Sequence, residues 1–268
     1  MERQSFVANG AQKYSGVRSS LSEWLAAPQG RYILDWELAQ FDSATEDVFG
    51  FRAAQLGLPE VDFLRQNRIP FRFTLALEPG GAVAADPLQL PLGGQSVDLL
   101  VLPHLLEYHN EPFQVLREVE RALRPEGRVV ISGFNTLSMW RLRQIFAGSR
   151  AGAPWDAKFI SLLRLKDWLQ LLGFELDGGV IGRYVPPFGH ERWMRRFAFM
   201  DKAGARWWPF RGAMYVLRAI KRVHGMRVIT PAWRKERARR RSLAAIPQRN
   251  GQVTQSDSHH PGRHRHAR

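Results

Sequence analysis

The sequence predicts an α/β fold, a parallel sheet covered by helices on both faces. Two observations carry this reading. Apolar runs of strand length, FRAAQLGL (51–58), FRFTLAL (71–77), VAAD (83–86), VDLLVLP (97–103) and RVVISGF (128–134), follow one another along the chain. Helical patterns or helix-length gaps separate most of them, and parallel neighbours need such crossovers.

The individual elements follow from local chemistry. Ser22 to Pro28 reads as a short helix ended by proline, and the acidic stretch from Asp35 to Asp47 as a helical or irregular lead-in. A helix is expected to open near Pro59. The helix from Pro112 is the best specified: proline suits a first helical position, and Phe113, Leu116, Val119, Glu120 and Leu123 continue its stripe at helical spacing. Pro125 and Gly127 then stop it. A further helix, Leu162 to Leu172, ends at Gly173, and AMYVLRAIKRV (213–223) supplies a last strand. The organisation read from this pattern is a helical N-terminal segment over 1–50, a main domain over 51–229 with an aromatic and basic insertion at 186–212, and a tail over 230–268.

Composition narrows the function classes. The chain has 268 residues and no cysteine, which excludes disulfides, thiolate metal sites and a cysteine nucleophile. No apolar run reaches the ~18–20 residues that span a bilayer, and the first residues lack the apolar core of a secretion signal. A cytoplasmic protein, either free or peripheral to the inner face of the membrane, is the expectation. Residues 1–182 hold 18 Lys+Arg against 21 Asp+Glu, whereas residues 183–268 hold 21 against 4. Basic charge so segregated points to an anionic partner, nucleic acid or an anionic membrane. Beyond Ile246 almost nothing apolar remains, so the tail is expected to be disordered.

The densest signal lies at 86–135. It comprises Asp86, the turn Leu90, Pro91 and Leu92, Asp98 opening a strand, Glu111 with Pro112 opening a helix, Glu118 and Arg121 with Leu123, Pro125 and Gly127 closing it, then the strand Val129 to Ile131. Six elements in this order resemble the second half of the class I S-adenosylmethionine-dependent methyltransferases, in particular the methyltransferase type 11 group. The resemblance implies a Rossmann-like, mostly parallel seven-stranded sheet with an antiparallel last strand, S-adenosyl-L-methionine as cofactor, and an acceptor whose identity it leaves open: a quinone-like or other small molecule, or a macromolecule.

Site residues follow by position. Asp86 sits where family members accept a hydrogen bond from the adenine amino group, a role open to an ionised carboxylate because it only accepts. Leu88 would lie against the adenine, and Glu78 is the nearest acid to the strand end where the ribose is held. Gly57 stands in place of the usual glycine-rich loop, with Pro59 expected to open a helix whose amides face the cofactor's carboxylate. Pro103 and His104 follow the fourth strand, His104 as a candidate catalytic base. Asn135 and Trp193 are candidate substrate contacts. The string His104, Glu107, His109 lacks the spacing of a helical zinc motif, so no metal is assigned.

Phe188, Trp193, Phe197, Phe199, Trp207, Trp208 and Phe210 alternate with Arg192, Arg195, Arg196, Lys202, Arg206 and Arg211. Such a segment can form an acceptor lid, lie at a membrane interface, or stack on single-stranded nucleic acid. At least half of the aromatics are expected to pack on the sheet while their arginines stay wet. A methyltransferase-like binding module without catalysis is the alternative reading of the whole chain.

Overall fold

A computed structural model describes residues 21–77, 80–147, 152–187 and 191–222. The described residues fall in one compact unit. The expected disordered tail falls outside the described residues.

After a short helix over 21–26, helix α1 covers Pro28–Thr45, with Pro28 in its first turn. Pro28 therefore starts the long helix as well as stopping the short one, as its fixed φ and missing N–H allow. Gly30, Ile33, Glu37, Phe41 and Thr45 form the buried stripe of α1. Gly30 is obligatory, because a Cβ there would lie 2.1 Å from the carbonyl oxygen of Trp24. The described part of the N-terminal segment is thus part of the core, with Leu21, Leu25, Ile33, Phe41 and Val48 all buried.

The strands are β1 (Arg52–Leu56), β2 (Phe71–Ala76), β3 (Val83–Ala84), β4 (Val97–Leu102), β5 (Leu123–Phe134), β6 (Phe174–Gly182) and β7 (Met214–Lys221). They form one sheet in the order β3-β2-β1-β4-β5-β7-β6. The pairs from β3 through to β5 are parallel, while β7 runs antiparallel to both β5 and β6. Helices α2 (Pro112–Ala122), α3 (Met139–Ala147), α4 (Leu162–Leu171), α5 (Glu191–Arg196) and α6 (Phe199–Trp207) complete the fold.

Alternation along the strands sorts the core into two layers. Ala54, Leu56, Leu100, Leu102, Val129 and Ile131 pack with Leu116 and Val119 of α2 and with Leu165 and Leu169 of α4. On the opposite face Ala53, Leu99, Val101 and Val130 meet Leu21, Leu25, Phe41 and Phe63.

The helix expected near Pro59 is absent: residues 57–70 cross from β1 to β2 through turns. The cause is Gln55, a buried amide on β1. Its Nε2 donates to the carbonyls of Gly57, Leu58 and Val61 at 2.8–3.0 Å, and its Oε1 accepts from the Phe63 amide at 3.0 Å. Carbonyls turned toward a side chain do not point along a helix axis. Gly57 (φ 86°) and Leu58 (φ 45°) are also left-handed, which prevents a right-handed helix from starting there. Phe63 and Leu64 then fill, with a turn, the volume beside Phe41 that a crossover helix would cover; the rings of Phe41 and Phe63 meet edge-on at 4.8 Å.

The motif residues of the second half act as scaffolding. Asp98 accepts from the amides of Phe51 and Arg52 at 2.7 and 3.0 Å and pairs with Arg124 at 3.1 Å, so it fixes where β1 begins. Arg121 of α2 donates to the carbonyls of Leu90 and Leu92 while paired with Glu118 at 2.9 Å. The E-x-x-R spacing thereby pins the turn that follows Asp86.

Candidate active site

Beyond the carboxyl ends of β1 and β4 lies the point where strand order reverses, the place where open α/β sheets bind ligands. Gly57 and Leu58 end β1 there, and Pro103 and His104 end β4, all four buried. Asp86 follows β3, half-buried. Its Oδ1 accepts from the Leu88 amide at 2.9 Å and its backbone carbonyl from Gln89 at 2.9 Å, a tight turn that presents the carboxylate. Its Oδ2 has no hydrogen-bond partner among the described residues. Leu88 packs partly on the core and lines a cavity of about 360 Å³ with Gln114, Arg117, Glu118, Arg121 and Leu172. That cavity lies on the outer flank of α2 and includes neither Gly57 nor His104. Glu78 lies outside the described residues.

The expectation for His104 needs correction. Its ring is fully buried and turned inward, so it does not present a base to an acceptor. Nδ1 lies 2.8 Å from Oε2 of Glu107, and Nε2 lies 3.5 Å from Oε2 of Glu37, both carboxylates being equally buried. The other oxygen of Glu37 accepts from the Ser132 hydroxyl, and that of Glu107 from the Phe134 amide. Ser132 Oγ in turn accepts from the His104 amide at 3.2 Å. Phe134 covers the imidazole at 4.7 Å. One network thus ties α1, the end of β4, the 3-10 turn Leu106–Tyr108 and β5, and it holds His104 at φ 50°, a conformation few non-glycine residues adopt.

Charge explains the cohesion. Burial alone would push the His104 imidazolium down, but the carboxylates of Glu37 and Glu107 outweigh it and raise the pKa to about 10. Burial pushes the Glu107 carboxyl up, opposed by His104 and the Phe134 amide. Burial also raises the Tyr215 phenol well above its ordinary value, with Glu107 adding to the shift.

Asn135 is likewise corrected. Its amide nitrogen donates to the carbonyls of Phe210 and Gly212 at 2.8 and 2.9 Å, and its oxygen accepts from Leu137 at 3.1 Å. The side chain is occupied in fastening the segment before β7 and does not face a substrate. Trp193, on α5, is about half exposed and stacks on Phe197. It is far in sequence from the strand ends, and no contact joins it to Gly57, Asp86 or Pro103. Sequence reasoning missed Gln55, Glu37 and Ser132. A carboxylate in the otherwise apolar stripe of α1 was the available signal for Glu37.

Residues 66–131 match the family model of a methyltransferase domain. Over that stretch the chain is similar to a methyltransferase domain, and its sheet has the class I strand order. It is 43% identical over 94 residues to the uncharacterized protein YafS of Escherichia coli K12, covering 35% of this chain and 39% of that protein. It is 36% identical over 92 residues to a malonyl-[acyl-carrier protein] O-methyltransferase of Laribacter hongkongensis, covering 34% of this chain and 31% of that enzyme. The match therefore spans well under half of either relative. Among solved structures, a chain of the Haloferax volcanii complex between the Trm112 methyltransferase activator and a methyltransferase superposes with a TM-score of 0.55 at 18% identity, covering 78% of this chain and 99% of that one. That likeness concerns the fold.

S-adenosylmethionine is the cofactor this family implies, and the donor set fits its nucleoside half. Asp86 keeps an oxygen for an exocyclic amino group, and the left-handed turn at Gly57 brings bare backbone to the strand end. After β1 the turn organised by Gln55 stands where a helix was expected, so that turn would offer the methionine carboxylate no helix N-terminus. That turn also meets the β2–β3 connection: a Cβ on Gly80 (φ 120°) would lie 3.3 Å from the Pro59 ring.

Proposed function

We propose that this chain transfers a methyl group from S-adenosylmethionine to an acceptor still to be identified. The observation that supports the reading is that Gly57, Asp86 and Pro103 all follow carboxyl ends of parallel strands on one edge of the sheet, Gly57 and Pro103 after the neighbouring β1 and β4 and Asp86 after β3, which β2 separates from β1. The sulfonium of the bound cofactor supplies an electrophilic methyl group. The protein's part is to hold donor and acceptor in line and keep water away. Asp86 accepts from the adenine, the Gly57 turn approaches the ribose side, and the network of Glu37, His104 and Glu107 fixes the end of β4 from behind as a positioning device. No side chain on this edge need act as a base when the acceptor ionises by itself.

Replacing Asp86 by alanine is expected to weaken binding of S-adenosylhomocysteine by about 1–3 kcal/mol without lowering the melting temperature appreciably. Unchanged affinity in the folded variant removes Asp86 from the site. Incubating the full chain with methyl-tritiated S-adenosylmethionine and cell extract, then fractionating lipid, small-molecule, nucleic-acid and protein pools, tests transfer itself. Label that depends on Asp86 supports the enzyme. Cofactor binding without label in any pool favours the binding module, a reading the shortened β1–β2 crossover also supports.

A further inference from the structure

Helix α3 buries Trp140 and Gln144 and half-buries Arg141, while Leu142, Ile145 and Phe146 are exposed by 55, 61 and 87%. This is the reverse of an ordinary surface helix, whose outer face is polar. A second exposed apolar group follows in Trp207, Trp208 and Phe210, at 71, 54 and 69%. Trp193 and Phe199 are exposed as well, so five of the seven aromatics, of which at least half were expected to pack on the sheet, are on the surface; Phe197 is half-buried and Phe188 lies outside the described residues.

The two groups belong to one region. Asn135, just before α3, fastens the carbonyls of Phe210 and Gly212, Trp140 donates to the Val185 carbonyl at 3.0 Å, and Arg143 donates to that of Pro187. Both groups thus sit beside the end of β5 and the start of β7. Charge there is mostly positive. No acid occurs from Gly127 to Trp155, and residues 183–211 hold seven Lys+Arg against Glu191 and Asp201. Asp201 is already engaged with Arg183, Tyr32 and the Tyr184 amide. Arg192, Arg196, Lys202, Arg206 and Arg211 are exposed.

We propose that this face docks on an anionic lipid surface, with α3 and the Trp207–Phe210 segment entering the headgroup boundary and the surrounding arginines meeting lipid phosphates. Exposed aliphatic and aromatic side chains flanked by Arg are the composition that binds in the plane of an interface. Nucleic acid is the poorer occupant, since Leu142 and Ile145 gain nothing from base stacking. The inference concerns a surface apart from Gly57 and Asp86 and holds whether or not methyl transfer occurs. No helix among the described residues is long and apolar enough to cross a membrane, so attachment through this face is peripheral.

The test uses the full chain and vesicles of phosphatidylcholine with or without phosphatidylglycerol. Co-sedimentation is expected with the anionic vesicles, with a fraction retained at high salt. Brominated lipid is expected to quench tryptophan fluorescence, and Trp207→Phe with Trp208→Phe to remove most of that quenching. Ile145→Asp with Phe146→Asp is expected to weaken binding about tenfold or more, with Ile145→Ser and Phe146→Ser as a milder pair should the first misfold. Binding abolished by salt and indifferent to both α3 pairs would assign it to the basic tail and overturn the proposal. So would retention by nucleic acid but not vesicles, or a stable dimer whose formation hides these side chains.

Discussion

His104→Ala is expected to lower the stability of the chain by about 3–5 kcal/mol, because it leaves the carboxylates of Glu37 and Glu107 buried without their shared counter-charge. The effect exceeds the loss of packing for an imidazole, and Glu37→Gln should approach it. Denaturant unfolding of the two variants measures it directly. The same network sets a pH dependence. The folded-state pKa of His104 is raised to about 10 from 6.5, so its contribution is fully present below 6.5 and is lost as pH rises through about 10. Glu107 is shifted upward too, which acts in the same direction. Wild-type stability should accordingly decline from neutral toward alkaline pH, and the decline should flatten in His104→Ala. A variant within about 1 kcal/mol of wild type would mean that the three groups do not share charge as the geometry requires.

The second large effect is expected at Gln55. Gln55→Leu keeps most of the volume but leaves the carbonyls of Gly57, Leu58 and Val61 and the amide of Phe63 without their partner. Each buried backbone group left unsatisfied costs about 1–3 kcal/mol, so a loss of about 3 kcal/mol or more is expected even after the turn relaxes. Gln55→Glu should be at least as damaging, since a carboxylate cannot donate to three carbonyls. In the proposed cofactor site this turn is one wall, so S-adenosylhomocysteine affinity should fall alongside stability. Full retention of affinity would place the ligand elsewhere.

The contrast between Asp98 and Gln55 shows which features sequence could reveal. Asp98, Glu118, Arg121 and Gly127 stand at spacings that periodicity and capping expose, so the second half of the sheet was legible from their pattern even though Asp98 and Arg121 reach partners 29 to 47 residues away. Gln55 looks like an ordinary polar residue in a strand. Only its burial shows that it replaces a helix by a turn. Glu37 and Ser132 lie 95 residues apart and meet only through the fold. The inward turn of His104 depends on both, so a histidine expected at the acceptor wall proved to be a buried brace. Asn135 was misread for the same reason, since its partners lie 75 and 77 residues onward. The aromatic segment failed differently. Hydrophobicity predicts burial on average, and here five of those aromatics remain on the surface, consistent with a partner that covers them.

Calorimetric titration of the full chain with S-adenosylhomocysteine tests most directly whether the shortened turn still leaves room for an adenosyl group. One-site binding that weakens in Asp86→Ala is the expected result. A chain that unfolds cooperatively yet releases no heat at high micromolar ligand, with no change in melting temperature, would contradict the assignment of this strand edge as a cofactor site.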